Sequence, residues 1–284
     1  MITIETIRAM RTAVRNFRTV GQTVGFVPTM GYLHEGHLSL VRASKAKMDR
    51  TVVSIFVNPT QFGPEEDLDR YPRDLARDRA LLEREGVDVL FHPWREEMYP
   101  DGFRTGVEVR GLQDRLCGRT RPGHFAGVCT VVMKLFQIVR PDAAFFGHKD
   151  AQQATIVRRM ARDMDLDLVV RAMPTVREKD GLAMSSRNAY LTPEERAAAP
   201  VLFRSLERAR ALYEEGEREA ARIAEAVRET LRGEPLAAVE YADVVDPGEL
   251  LPLERVEGEA LVALAVRFGR TRLIDNLLIG PKES

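Results

Sequence analysis

Two histidines three residues apart carry the first chemical information in this sequence. They lie in Pro28-Thr-Met-Gly-Tyr-Leu-His34-Glu-Gly-His37, where a short apolar run ends, a glycine turn follows and a helical pattern opens at about Gly36. Residues three apart on a helical turn share a face, and a helix N-terminus with free N–H groups attracts anions. His34 and His37 are therefore candidates for holding phosphate oxygens. Gly36 would allow the close approach that a larger side chain blocks. Zinc is the weaker reading, since the spacing is not H-E-x-x-H and no third ligand is evident.

Three further clusters follow apolar runs or lie in a polar loop. Phe56-Val-Asn58-Pro59-Thr-Gln61-Phe62 offers Asn58 and Gln61 as neutral readers of hydroxyl or carboxylate groups. Taken alone, Asn-Pro is a turn that ends a strand. Gly147-His148-Lys149-Asp150-Ala-Gln152-Gln153 places Lys149 like a phosphate-binding lysine at a helix start. Asp150 could accept a ribose hydroxyl, and Gln153 would face the same crevice one turn on. A lone lysine here would be an ordinary surface residue. Ala183-Met184-Ser185-Ser186-Arg187-Asn188 presents two hydroxyls and a guanidinium to a polyphosphate; its bland alternative is a flexible polar loop. No G-x-G-x-x-G follows a strand. Gly31-x-x-x-x-Gly36 and Gly118-x-x-x-x-Gly123 have P-loop glycine spacing but continue as His37-Leu38 and His124-Phe125, not Lys-Ser/Thr.

For these clusters to meet, strands must deliver them to one edge. Apolar runs at 24–27, 52–57, 87–91, 143–146 and 166–170 read as buried strands, with helical patterns at 37–48, 75–85, 127–138 and 151–164. That alternation predicts right-handed βαβ units and a parallel sheet. The expected class is α/β, a doubly wound Rossmann-like sheet that binds ligand beyond the strands' carboxyl ends. After about Thr175 the pattern changes. Thr192-Pro193-Glu194-Glu195 is a helix start, leading to two helices broken near Gly216 and then strands at 239–245, 259–267 and 272–278. The expected division is 1–175, holding nucleotide and substrate, and 176–284, a smaller α+β unit with an antiparallel sheet.

Composition narrows the partners. The 284 residues carry 42 basic and 43 acidic side chains, a net charge of −1, which disfavours a nucleic-acid partner. Cys117 and Cys129 supply neither a disulfide framework nor a C-x-x-C zinc pattern, so a reducing, cytoplasmic setting is expected. The first ten residues lack the apolar core of a signal peptide. The most apolar stretch, 128–139, is broken by Lys134 and Gln137, so no membrane span is expected.

In this order, PTMGYLHEGH, VNPTQF, GHKDAQQ and GLAMSSRN resemble the pantoate–β-alanine ligase family, and HEGH is similar to the H-x-G-H signature of adenylate-forming nucleotidyltransferases. The resemblance implies a homodimer that uses MgATP to activate pantoate as a pantoyl-adenylate, which β-alanine then attacks. It implies phosphate and transition-state roles for His34, His37 and Lys149, and a phosphate clamp of Ser185, Ser186 and Arg187. Met30, Gly147, Asp150, Val176 and Met184 would contact ATP, and Gln61, Gln153 and Asn58 would contact pantoate. No magnesium ligand is implied with any force, Asp78 being a weak candidate. Three residues depart from the family pattern: His148 stands where Glu is more usual, Ala151 where an aromatic is, and Tyr32 where a small residue is. Two other readings use related motifs. One is a nucleotidyltransferase that stops at an adenylylated or cytidylylated product; the other is a non-catalytic nucleotide-binding module.

Overall fold

A computed structural model describes residues 1–64 and 66–281. The chain runs β1 (Ile2–Ile4), α1 (Ile7–Thr19), β2 (Val24–Thr29), α2 (Glu35–Lys45), β3 (Arg50–Ile55), α3 (Leu75–Arg84), β4 (Val89–Phe91), the one-turn helices α4 (Arg95–Met98) and α5 (Cys117–Thr120), α6 (His124–Val139), β5 (Ala143–Gly147), α7 (Ala151–Asp163) and β6 (Val169–Met173). There follow α8 (Pro193–Ala198), α9 (Val201–Glu214), α10 (Ala220–Arg232), β7 (Ala238–Val245), β8 (Ala260–Phe268) and β9 (Thr271–Ile279). The first six strands form one parallel, Rossmann-like sheet in the order β1-β4-β3-β2-β5-β6; the last three form an antiparallel sheet in sequence order.

Burial explains the sequence patterns. β2, β3 and β5 are covered on both faces, so they are buried and mostly apolar without alternation, the polar residues Thr29, Thr51 and Ser54 being buried too. β8 is likewise apolar, because it too is covered on both sides. One face carries Val262, Leu264 and Val266 in a core shared with α9 and α10. The other carries Leu261, Ala263 and Ala265 in the core that contains α6, α7 and β5.

The sheet order sets the position of the site. From β2 the chain moves outward through β3 to β4, then returns to the other side of β2 with β5. β2 pairs with β3 along its whole length, from Val24↔Arg50 to Thr29↔Ile55. With β5 it pairs only at Gly25↔Ala143 and Phe26↔Ala144. Beyond those residues the two strands part, and a wedge opens at their carboxyl ends. Such a switch point is where open α/β sheets bind ligands.

Several sequence expectations need correction. The strand expected at 166–170 begins at Val169, because Asp165 adopts φ +50° and turns the chain while Leu166 and Leu168 pack against the core. α6 starts at His124, a turn earlier than expected, and so brings its N-terminus to the wedge. Three helices, not two, cover 193–232, since the chain breaks at Ala199–Pro200 as well as near Gly216. β1 and α1 are additional to the expected elements; β1 pairs with the outer strand β4. Among the described residues no helix is long and apolar enough to cross a membrane.

α6 lies directly on the loop after β3. A Cβ on Gly127 would stand 2.2 Å from the Thr60 carbonyl oxygen, backbone that cannot rotate away. Intrinsic helix propensity alone would make Gly127→Ala stabilising by about 1 kcal/mol. Overpacking predicts the opposite sign, a loss of about 1–3 kcal/mol in urea unfolding; a stabilised variant would refute the close approach.

Candidate active site

Every residue singled out above as a contact or catalytic group lines one cavity of about 230 Å³ at the switch point. Its floor is apolar: Phe56, Phe146 and the α6 residues Val128, Val131, Val132 and Leu135. It opens past Arg121, His124, Lys149 and Arg187 into a wider crevice of about 1140 Å³ beneath β8 and β9.

The two histidines cap their own helix. His34 is the N-cap of α2, and its Nδ1 accepts the Gly36 N–H at 3.2 Å. His37 Nδ1 accepts the His34 N–H at 3.3 Å. Both Nδ1 atoms are thus acceptors, which leaves each neutral ring with its proton on Nε2. The ring centroids are 4.1 Å apart. Burial, then the nearby Lys149 charge, lowers the His34 pKa to about 4. Burial, then His34 and Lys149, holds His37 well below the usual imidazole range. Gly36 makes room for the His34 ring, since a Cβ there would come within 2.9 Å of the imidazole; that is a different reason for glycine than the ligand approach expected.

Asp78 braces this turn from α3. Its two carboxylate oxygens accept the Tyr32 and Leu33 N–H groups, each at 2.7 Å. They fix a bend that needs φ +86° at Gly31 and φ +50° at Tyr32. This buried carboxylate therefore orients the histidine turn, and its oxygens are taken up by main chain instead of being offered to magnesium. The Arg77 guanidinium lies over the Tyr32 ring at 5.2 Å.

Asn58 proves to be a positioning group. It is buried, its Oδ1 accepts from Tyr99 Oη at 2.8 Å and Thr60 Oγ1 at 3.0 Å, and its Nδ2 donates to the Gly127 carbonyl and to Gln61 Oε1, both at 3.1 Å. Nothing remains for a substrate. It aims Gln61, whose Nε2 donates to the Met30 sulfur at 3.1 Å.

Opposite the histidines, Lys149 Nζ lies 3.8 Å from Asp150 Oδ1. Ser185 Oγ caps the turn after it by accepting the Arg187 N–H at 3.2 Å. Ser186 Oγ lies 3.2 Å from the Tyr71 hydroxyl. Arg187 is held by Asp67 through two bonds of 3.0 Å. Sequence reasoning missed the matching pair on the other wall. Arg121 bonds Glu66 at 2.6 and 2.5 Å and donates to His124 Nε2 at 2.9 Å, while His124 Nδ1 donates to the Gln61 carbonyl at 2.8 Å. Burial and then the Arg121 charge lower the His124 pKa to about 4. The available signal is Arg121-Pro122-Gly123-His124 at the start of α6, which a P-loop test rejects.

The arrangement combines a helix N-terminus, neutral imidazole donors, a lysine and an arginine around a cavity with an apolar floor. Among the described residues no group of three or more His, Cys, Asp or Glu side chains could hold a metal ion. Fold and cavity together define a Rossmann-like, nucleotide-binding enzyme. Comparison with known proteins makes the class specific. The family model described as pantoate-beta-alanine ligase matches residues 2–278. The chain is 57% identical over 280 residues to the pantothenate synthetase of Pelotomaculum thermopropionicum, covering 99% of each chain. It is 58% identical over 276 residues to that of Heliobacterium modesticaldum, covering 97% of this chain and 98% of the relative. The pantothenate synthetase structure from Thermus thermophilus superposes with a TM-score of 0.95 at 50% identity, covering 99% of this chain and 100% of that one. The Francisella tularensis ligase, solved in complex with β-γ ATP and β-alanine, superposes with a TM-score of 0.81 at 33% identity over 98% of this chain and 97% of that one. The chain belongs to the pantoate–β-alanine ligase family, and it joins pantoate to β-alanine with ATP to form pantothenate.

The buried neutral imidazoles have a consequence for stability. In the unfolded chain His34 and His124 take up protons near pH 6.5; in the folded chain they do so only near pH 4. Their contribution is complete above pH 6.5 and is lost as pH falls towards 4, by up to about 1.4 kcal/mol per pH unit for each ring. Urea unfolding at pH 7 and pH 5 should show the fall, and His34→Gln plus His124→Gln should make it shallower, leaving the part due to His37. An equally steep fall in the double variant would count against it.

Proposed function

We propose that the ligase works in two steps within the single cavity, through a pantoyl-adenylate. The pantoate carboxylate attacks the α-phosphorus of ATP, forming the acyl–phosphate bond and releasing pyrophosphate. The β-alanine amine then attacks the acyl carbon, forming the amide, releasing AMP and giving up its proton. Carboxylate and amine merely form a salt at neutral pH, so the first step supplies the leaving group. Phosphoryl transfer needs in-line positioning and charge stabilisation more than a nucleophilic side chain. The observation that carries this reading is the convergence of His34, His37, Lys149 and the Ser185–Ser186–Arg187 segment on one cavity.

Each group has a role in that scheme. The Nε2–H groups of His34 and His37 and the Lys149 ammonium bind the oxygens of the phosphate under attack. Ser185, Ser186 and Arg187 hold the departing β- and γ-phosphates. Met30, Gly147, Asp150, Val176 and Met184 line the adenosine side. Pantoate carries a carboxylate, two hydroxyls and a pair of methyl groups; Gln61 and Gln153 meet the polar groups and the α6 floor meets the methyls. A magnesium ion would be held mainly by ATP oxygens and water. When bound, it would offset phosphate charge, and Asp150 is a carboxylate that lines the cavity. Residues 1–175 would hold the substrates together with the segment from Val176 to Arg187, and the rest of 176–284 would cover them, because an acyl-adenylate must be kept from water. The expected assembly is a homodimer, and the expected compartment is the cytoplasm.

Labelled pyrophosphate should exchange into ATP with pantoate present and β-alanine omitted; folded, active enzyme that shows no such exchange would sink the two-step scheme. His37→Ala should lower turnover by about 2–4 kcal/mol of transition-state stabilisation, on the scale of a lost oxyanion donor, with little change in thermal midpoint. Lys149→Ala should lose exchange yet still convert pre-formed pantoyl-adenylate with β-alanine, and the reverse pattern would reassign the lysine.

A further inference from the structure

The segment that carries Lys149 is a single tight turn, His148–Asp150, ahead of α7. Its N-cap is Gly147, which has no side chain with which to hold it. What holds this turn comes from the far end of the sequence. Asn276 on β9 is buried, with 6% of its surface exposed. Its Nδ2 donates to the Lys149 carbonyl at 2.8 Å and to the His148 carbonyl at 3.0 Å. Its Oδ1 lies 3.1 Å from His148 Nδ1, which donates to it. The reverse amide orientation would set an oxygen against two carbonyl oxygens, so the contacts admit only one orientation. All the hydrogen-bonding capacity of the Asn276 side chain that faces this turn is used on it.

We infer that Asn276 is a positioning residue for the first half-reaction: it fixes the main chain of the lysine turn so that the Lys149 ammonium points into the phosphate cavity. His148 completes the joint by holding the amide in its donating orientation. The inference rests on the role proposed above for Lys149. Asn276 touches no substrate in this scheme; it acts through the turn alone. A lysine on a loose turn would sweep its charge over ångströms, and misplacement of about 1 Å can cost on the order of 100-fold in rate. The same strand braces the other phosphate segment. Asp275, on the opposite face of β9, holds Arg177 by bonds of 2.6 and 3.0 Å, and Arg177 bridges to Ala183 just ahead of Ser185.

The test compares half-reactions in the full-length enzyme. Asn276→Asp keeps the shape but replaces the two donors with an acceptor. It should lower pantoate-dependent pyrophosphate exchange by about 10–100-fold while amide formation from pantoyl-adenylate and β-alanine stays within about threefold of wild type, the same split as Lys149→Ala. Equal damage to both half-reactions, or none, overturns the inference. If Lys149→Ala itself retains exchange, the role of the lysine falls first and the inference with it. Should Asn276→Asp fail to fold, His148→Ala decides the matter: a several-fold loss confined to exchange supports the joint, and unchanged exchange overturns it.

Discussion

The parting of β2 and β5 is the constraint on which the rest depends. The two strands share hydrogen bonds only at their first residues, so everything attached to their carboxyl ends must bridge a gap. The histidine turn leaves β2 on one side and the lysine turn leaves β5 on the other. Each strand is paired to its end on its outer side only, β2 with β3 and β5 with β6, and the turns beyond leave the sheet, so each recruits a brace from elsewhere: Asp78 from α3 for the first, Asn276 from β9 for the second. The cavity exists because the sheet stops pairing there, and it keeps its shape because side chains far away in sequence replace the missing ladder.

Electrostatics at the site follows a similar logic of bracing in advance. The chain is almost neutral overall, with a net charge of −1, yet the guanidiniums of Arg121 and Arg187 line the cavity, and Arg177 sits behind the segment that leads to Ser185. Each is already held by a carboxylate: Arg187 by Asp67, Arg121 by Glu66 and Arg177 by Asp275. Such forked pairs fix the planar group's direction before any anion arrives. The histidines solve the problem differently. Burial keeps them neutral, so the cavity offers N–H donors without the repulsion that two adjacent imidazoliums beside Lys149 would create.

Sequence reading locates the motifs well because each lies on or just beyond an element with a clear period. The strands of the parallel sheet are apolar runs, and the residues after β2, β3 and β5 are where chemistry is sought in this architecture. It does less well where function depends on tertiary contact. Asn58 suits a substrate reader by type and place; only the fold reveals that Tyr99, Thr60 and Gly127 use its polar atoms. Asp78 looks like an available acid, and the two N–H groups it serves are 45 and 46 residues away. Arg121 and His124 escape notice, because a motif test asks for lysine at a position where this fold needs only a helix start. β1 and α1 go unread, although Thr6 caps α1 and Met10 and Val14 bury its inner face.

The central strand of the C-terminal sheet, β8, is apolar on both faces. A sheet that only covered an opening would need one apolar face, turned towards its own helices. Here β8 buries Leu261, Ala263 and Ala265 in the core that holds α6, α7 and β5 as well as Val262, Leu264 and Val266 beneath α9 and α10. A contact of that kind is costly to open at about 25 cal/mol per Å² of apolar surface. Leu261 and Ala263 of β8 and Ile274 and Asn276 of β9 also line the crevice, so the strand that holds the lysine turn is itself a wall of the opening to the cavity.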